Sequence, residues 1–194
     1  TQEVKNENLI IQASNIARIG SWEMDLLFQN RGVMYWSPII KEMLGFDQSY
    51  TPTYSGSLEL FVGEHKERIE NAVTNLMHNG IEFDEELLLN AANEEKKWVR
   101  IIGKSEIANG KRIKIYGSLQ DIDDRKKSQI ELANSENKLR TILEAEPECV
   151  KLMDEQGKIL MMNPAGIEMI EADDETQILN QSVQQIILPE HRPA

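Results

Sequence analysis

The sequence predicts an α+β fold in which one five-stranded antiparallel sheet carries helices on one face. Two short strand patterns come first, several short helices follow, and three strand patterns then run in quick succession. Neighbouring strand patterns are separated by short turns, one of which has the Asn-Gly signature of a tight hairpin. Strands and helices are thus grouped along the chain, which is typical of the α+β class.

A hairpin and a short helix are predicted near the start. Residues 21–26 alternate apolar and polar side chains, as a half-buried strand does, and a turn at residues 29–32 leads to a second strand at 33–36. Ser37 and Pro38 then match an N-cap residue followed by a first helical residue. We expect this helix to stop at Gly45.

The middle of the chain predicts one longer helix and then the other three strands. Residues 57–79 carry an apolar stripe at helical spacing, and Gly80 supplies a C-terminal stop. The strand-like runs that follow occupy residues 83–89, 98–107 and 113–119.

Helical patterns flank this domain on both sides. Residues 4–19 are predicted to be helical and to end at Gly20, and a second helix is predicted from Asp123, as a capping residue, to Pro147. The second helix has a coiled-coil-like seam. The predicted dimer seam consists of Leu9, Ala13 and Ile16 upstream and Leu132, Leu139 and Leu143 downstream.

Composition excludes several kinds of partner. A net charge of −12 argues against nucleic acid, because binding a phosphate backbone needs clustered Lys and Arg. No apolar run approaches the roughly 20 residues of a membrane span, so we expect no direct membrane contact. The single cysteine, Cys149, provides neither a disulfide nor a thiolate metal site. A cytoplasmic location fits, within a parent protein that is free to be membrane-anchored.

The chain contains an internal repeat with an offset of 126 residues. Ser37-Pro38 aligns with Asn163-Pro164, and Glu64-His65 aligns with Glu190-His191. The hairpin also matches if the second copy has a turn three residues shorter, which puts its strands at residues 151–154 and 159–162. The second copy ends before the long helix and the last three strands of the first, so we expect a fragment of a longer protein.

The first repeat resembles a PAS domain over residues 11–122. The motifs that carry the resemblance are residues 19–25 (IGSWEMD), 35–38 (YWSP), 43–46 (MLGF), 97–100 (KWVR) and 116–126 (YGSLQDIDDRK). The resemblance implies the PAS fold, dimerisation through flanking helices, and sensing or protein contact upstream of an output domain. In bacterial proteins that output is often a histidine kinase or a cyclic-di-nucleotide enzyme.

The resemblance divides the chain into four parts. Residues 1–19 are the N-terminal flanking helix, residues 20–122 are a complete PAS domain, residues 123–146 are the connector helix, and residues 147–194 are the first half of a second PAS domain. The predicted signal-relay junction between the last strand and the connector is Asp121, Ile122 and Asp123.

Enzymatic and cofactor chemistry have little support. The chain has no Gly-rich phosphate loop, no nucleophile elbow and no His-Glu-x-x-His helix, so we predict no catalytic residue and no metal site. His65 and His78 are the only haem-ligand candidates in the complete domain, and both are better explained as surface residues. Flavin photosensors of this family carry a Cys in a helical motif and a Gln on the last strand, where this chain has Leu119. We therefore predict no cofactor.

An apolar pocket between sheet and helices remains as a candidate site. If Leu119 points inward, strand alternation puts Ile113 and Ile115 on the same side. The predicted pocket residues are Met43, Leu44, Leu87, Leu89, Val99, Ile101, Ile113, Ile115 and Leu119. We favour the hypothesis that these residues form an ordinary core and that the domain is a dimerising relay module. The alternative is a sensor that binds a small molecule there.

Overall fold

The computed structural model describes residue 9, residues 12–27 and residues 34–185. The chain divides into two compact units, Thr1–Lys127 and Ser128–Ala194. Within the described residues, no helix combines the length and the apolar character that crossing a membrane requires.

Within the described residues, the first unit contains five strands, the helical residues 12–17 and three further helices ahead of a longer helix. In chain order they are β1 (Ile19–Asp25), β2 (Met34–Trp36), α1 (Pro38–Met43), α2 (Tyr54–Leu58), α3 (Glu64–Asn79), β3 (Phe83–Asn90), β4 (Lys96–Ala108), β5 (Lys111–Asp121) and α4 (Asp123–Ala145). The predicted strands are therefore present, and none of their ends differs from the prediction by more than two residues.

The five strands form one antiparallel sheet with the order β2-β1-β5-β4-β3. The last strand in sequence is thus central, because β5 pairs with β1 along one edge and with β4 along the other. Asn109 and Gly110 both have positive φ, as the predicted tight turn between β4 and β5 requires. The predicted fold class and the five-stranded antiparallel sheet are confirmed.

The helices cover the inner face of the sheet. Ile40 and Leu44 around α1 and Leu76 on α3 are fully buried against strand residues such as Leu87 and Ile115. Burying a side chain of this size contributes about 1.5–3 kcal/mol, so these helix faces hold the layer together.

Two predicted helix boundaries are wrong, both because of a local backbone turn. The helical pattern at residues 57–79 is interrupted at Gly63, whose φ of 55° ends α2 and its turn before α3 begins. The upstream helical residues 12–17 end at Arg18, which adopts a φ of 50°, and Gly20 instead lies within β1. Residues 4–8, 10 and 11 of the predicted upstream helix lie outside the described residues, as does the predicted turn at 29–32.

The second unit begins within α4 and continues through a hairpin and a short helix. Its elements are β6 (Lys151–Met153), β7 (Ile159–Met162), α5 (Pro164–Met169) and two 3-10 turns at Glu175–Gln177 and Val183–Gln185. Ile159, Met162 and Ile178 form its small apolar core. The hairpin and helix start lie where the internal repeat predicts them, whereas the match at Glu190-His191 lies outside the described residues.

Candidate functional site

A small apolar cavity lies between the inner face of the sheet and the helices, with a volume of about 60 Å³. Apolar cavities of about 150 Å³ admit benzene, and drug-sized ligands occupy roughly 300–1,000 Å³. The cavity can therefore hold only a guest of very few atoms. A haem or a flavin does not fit in it without rearrangement of its walls.

Five of the nine predicted pocket residues line this cavity, namely Leu44, Leu89, Ile101, Ile115 and Leu119. The other four do not line it. Met43, Leu87 and Val99 are buried in the surrounding core, and Ile113 is half-buried near the start of β5. His65 and His78 are likewise not among the lining residues.

A row of aromatic side chains across the sheet explains why the cavity is small. The backbone register places Trp36, Trp22, Gly117, Gly103 and Phe83 side by side on the inner face. The rings of Trp22 and Phe83 are stacked with centroids 6.4 Å apart. A Cβ at Gly103 would collide with the Phe83 ring, and a Cβ at Gly117 would collide with the backbone of Ile102. The two glycines thus leave space that the aromatic rings fill.

Trp22, Trp36 and Phe83 line the cavity but are not among the predicted pocket residues. Strand alternation places Trp22 on the same face as Met24, and Phe83 on the same face as Leu87 and Leu89. Strand alternation thus places these rings on the inner face of the sheet, but it does not show which of them extend across the sheet above a glycine.

Polar groups in the cavity wall are few. The Nε1 atom of Trp22 is buried and has no hydrogen-bond partner among the described residues. The Ser57 hydroxyl donates to the Thr53 carbonyl oxygen over 2.7 Å. Burial raises the pKa of Tyr54, so its hydroxyl stays neutral. The cavity surface is thus almost wholly apolar and carries no charge, although Trp22, whose indole N–H is unused, is one of the lining residues.

A second candidate site is the junction between the sheet and α4. The backbone of Trp98 on β4 makes two bonds to it: the carbonyl oxygen accepts from the Ile122 amide over 3.0 Å, and the amide donates to Asp123 Oδ1 over 3.2 Å. Asp123 is buried despite its charge. The start of α4 is thus attached to the middle strands of the sheet.

Asp121 connects this junction to the upstream flank. Its Oδ1 accepts from the Asp123 amide over 3.0 Å, and its Oδ2 lies 2.8 Å from Arg18 Nη2. The Asp121 side chain is 9% exposed. The capping role predicted for Asp123 is therefore filled by Asp121, because the Asp123 carboxylate turns back to the Trp98 amide instead.

The indole ring of Trp98 lies between two charged or titratable side chains. Lys126 Nζ lies 5.1 Å from the centre of the Trp98 rings, and the His65 ring meets them edge-on with centroids 5.3 Å apart. Lys126 Nζ also lies 2.6 Å from Glu86 Oε2, and Arg125 pairs with the same carboxylate. Through these contacts the first turn of α4 is joined to β3, β4 and α3.

The pKa values of two junction carboxyls are lower than usual. Burial raises the pKa of Asp123, but hydrogen bonds from Lys127 and from the Trp98 amide outweigh it, so the net shift is downward. Hydrogen bonds from Lys126 and Arg125 lower the pKa of Glu86. Both groups are thus ionised at neutral pH, and each of the two carboxylates is paired with at least one cationic side chain.

The predicted dimer-seam residues are open to solvent. Leu9, Ala13 and Ile16 are exposed, as are Leu132 and Leu139 on α4, while Leu143 is half-buried. Ile16 is 86% exposed. Among the described residues, no three or more His, Cys, Asp or Glu side chains cluster in a way that could hold a metal ion.

Solved structures with the same architecture are PAS domains. A sensory box histidine kinase/response regulator from Burkholderia thailandensis is 21% identical with a TM-score of 0.56, covering 68% of this chain and 98% of that one. The N-terminal domain of a diguanylate cyclase with PAS/PAC sensor from Marinobacter aquaeolei is 16% identical with a TM-score of 0.50, covering 56% and 98%. The chain has the PAS fold, and the five-stranded sheet of that fold lies within Ile19–Asp121.

Two curated proteins that are similar in sequence are both much longer than this chain. The sensor protein FixL of Bradyrhizobium diazoefficiens is 26% identical over 173 residues, and a non-motile and phage-resistance protein of Caulobacter vibrioides is 27% identical over 164 residues. These alignments cover 89% and 82% of this chain but only 33% and 19% of the relatives. No protein-family profile matches the chain. The resemblance to PAS domains of signalling proteins is thereby confirmed.

Proposed function

We propose that this chain is the sensory and relay segment of a signal-transduction protein. In this proposal it dimerises through its flanking helices and passes changes in the PAS domain along α4 to an output domain. The segment itself performs no catalysis, and its parent carries a kinase or cyclic-di-nucleotide activity of the kind found among its neighbours.

The observation that carries the proposal is the attachment of α4 to the sheet. Trp98 binds the start of α4 through its backbone and contacts Lys126 through its ring. A displacement of β4 therefore moves the first turn of α4 with it. Arg18 connects the upstream flank to the same place through Asp121. Both predicted dimerising helices thus meet at one junction.

Exposed apolar side chains along the flanks support dimerisation. Leu132 and Leu139 lie on one side of α4, seven residues apart, and both are exposed. Helices in proteins gain most of their stability from packing an apolar face against a partner. A second copy of the same helix offers the matching face, and the spacing of seven residues fits a coiled coil.

The first prediction concerns the upstream half of this seam. Ile16→Asp should lower the dimer fraction in analytical ultracentrifugation by tenfold or more, because it places a charge in an apolar interface. The fold should be unaffected, since Ile16 is almost fully exposed. Ile107→Asp is the matched control, because Ile107 is exposed but lies at the end of β4, away from the seam.

Two outcomes would contradict the proposal. If Ile16→Asp and Leu139→Asp both leave the dimer fraction at the wild-type value, the interface lies elsewhere. If the wild-type chain sediments as a monomer at concentrations of tens of micromolar, the flanking helices do not pair in this segment.

The second candidate function is small-molecule sensing in the sheet cavity. The observation in its favour is the unpartnered indole N–H of Trp22, a residue that lines the cavity, because a buried donor without an acceptor costs about 1–3 kcal/mol. A small guest with one hydrogen-bond acceptor would satisfy it if the indole turned towards the cavity. The small volume of the cavity favours the relay module over this alternative.

One experiment separates the two candidates. Freshly purified protein is scanned across the near-ultraviolet and visible range, then denatured and its extract analysed by mass spectrometry. For a ligand-free relay module we expect protein absorbance alone and an empty extract. A Soret or flavin band, or a small molecule in stoichiometric yield, would make the domain a ligand sensor and would require the aromatic row to open.

A further inference from the structure

A single buried amide joins the end of α4 to the second repeat. Asn163 is 2% exposed and is the residue before Pro164, at the start of α5. Its Nδ2 lies 3.2 Å from the Leu143 carbonyl oxygen, 3.0 Å from that of Glu146 and 2.8 Å from that of Glu148. An amide group has two hydrogens, so one of them is shared between two of these acceptors.

The other side of the same amide organises the second repeat. Asn163 Oδ1 accepts from the Val150 amide over 2.8 Å and from the Gly166 amide over 3.0 Å. The first of these groups opens the hairpin, and the second lies in the first turn of α5. One side chain thus satisfies groups in the last turn of α4, in the chain that leaves it, in the hairpin and in α5.

Ser37, the equivalent residue of the first repeat, makes only some of these hydrogen bonds. Ser37 Oγ accepts from the Ser21 amide over 3.0 Å, as Asn163 Oδ1 does from Val150, and Ser21 aligns with Val150 in the repeat. The backbone bonds also correspond, from Ser37 to Ser21 and from Asn163 to Val150, both 2.9 Å long. Ser37 is the N-cap residue of α1, as predicted, but its side chain makes no hydrogen bond to that helix. Its short side chain has no amide with which to hold carbonyl groups of the preceding helix.

We infer that Asn163 is a positioning residue that fastens the C-terminal end of the connector helix to the second repeat. Leu143 belongs to the last turn of α4, whose carbonyl groups have no partner within the helix. Without the Asn163 amide this turn is free to fray. With it, the end of α4, the start of β6 and the start of α5 move together.

The fastening gives α4 a defined end as well as a defined beginning. Between Ser128 and Ile142 every side chain of α4 is exposed, so side-chain burial does not hold that stretch. A rotation or shift that enters α4 at the sheet junction would reach the second repeat through Asn163. The hydrogen bonds from Asn163 to the end of α4 do not depend on the proposed function, and only their role in relay rests on that proposal.

Hydrogen exchange of the full chain tests this inference. Asn163→Ser keeps an oxygen that can accept from Val150, as Ser37 does from Ser21 in the first repeat, but removes the amide donors. The loss of the Gly166 bond should matter little, because α1 of the first repeat forms without a side-chain cap. We expect exchange of the amides of residues 142–146 to rise about tenfold, the effect of losing well-placed buried hydrogen bonds. Exchange within Pro164–Met169 should change by less than about threefold. Asn137→Ser is the matched control, because Asn137 is exposed on the same helix and should leave both regions unchanged.

Every other result overturns the inference. Unchanged exchange at residues 142–146 would mean that Asn163 does not hold the end of α4. An equal rise throughout the second unit, including Ile159 and Ile178, would make Asn163 a residue of general stability and not a fastening. Asn163→Asp, which also keeps the acceptor but sets a carboxylate against three carbonyl oxygens, should raise exchange at 142–146 more than Asn163→Ser does. The sedimentation of each variant is measured in parallel, so a failure of dimerisation is seen separately.

Discussion

The two ends of α4 are held by opposite kinds of chemistry. At its beginning, charged side chains dominate, with Glu86 paired to Lys126 and Asp123 paired to Lys127. At its end, a neutral and almost fully buried amide binds backbone carbonyl groups. Ion pairs at a partly exposed site weaken with salt and with acid, whereas a buried neutral amide responds to neither. The beginning of the helix is therefore the adjustable end, and its last turn is the fixed one.

The charges are not what gives the adjustable end most of its strength. Exposed ion pairs contribute about 0–1 kcal/mol, because solvent screens them and long side chains lose freedom. The Trp98 ring and its two backbone bonds offer more, since they combine apolar packing with partly buried hydrogen bonds. Trp98 therefore provides most of the attachment of α4 to the sheet, and the carboxylates make this attachment sensitive to salt and pH.

The largest effect is expected from Trp98→Ala. Removal of the ring takes away its contacts to both His65 and Lys126. The free energy of unfolding of the first unit should fall by about 3 kcal/mol. This is the lower limit for replacing a large aromatic residue by Ala, because Trp98 is only half-buried. Urea unfolding followed by tryptophan fluorescence measures this selectively, since all three tryptophans of the chain lie in the first unit.

Trp98→Phe is the matched variant for that measurement. It keeps an aromatic ring and all backbone bonds, so it should lose less than half of what Trp98→Ala loses. Equal losses in the two variants would show that the ring contacts do not carry the attachment. In either variant, exchange at residues 142–146 should stay at the wild-type rate, because that end of α4 depends on Asn163.

The sequence predicts those parts of the molecule that depend on local pattern. The strands and the turn at Asn109-Gly110 follow from alternation and turn chemistry, which are signals within a few residues of each other. The hairpin of the second repeat follows from the alignment of the chain with itself. The PAS resemblance adds the fold to which these strands belong, whereas the central place of β5 in the sheet was not predicted.

The parts that the sequence does not predict depend on partners distant in the chain. Ser37 and Asp123 both look like helix caps, yet each turns its side chain towards a backbone amide 16 or 25 residues away. The capping propensity of Ser and Asp reflects bonds from their side chains to nearby backbone groups. In this fold, contacts with residues distant in the chain replace those local bonds. The filling of the cavity has the same origin, because Phe83 reaches over Gly103 from the adjacent strand.

The smaller effect is expected from Asp123→Ala, and it depends on pH. At neutral pH the variant should be about 1–2 kcal/mol less stable, because the partly buried Trp98 amide loses its acceptor. The folded-state pKa of Asp123 is lower than the unfolded value of about 3.9. A lowered pKa adds stability that is fully present above the unfolded value and is lost as pH falls through the folded value.

The difference between wild type and Asp123→Ala should therefore shrink as the pH falls from about 5 to below 3. Fluorescence-detected urea unfolding of both proteins at each pH measures it, and taking the difference cancels the other groups that titrate in this range. A difference that stays constant to pH 2.5 would mean that the Asp123 charge does not contribute. Exchange at residues 142–146, corrected for the intrinsic effect of pH, should not change between the two proteins at any pH. A change there would contradict the separation of an adjustable and a fixed end, since the amide of Asn163 does not titrate.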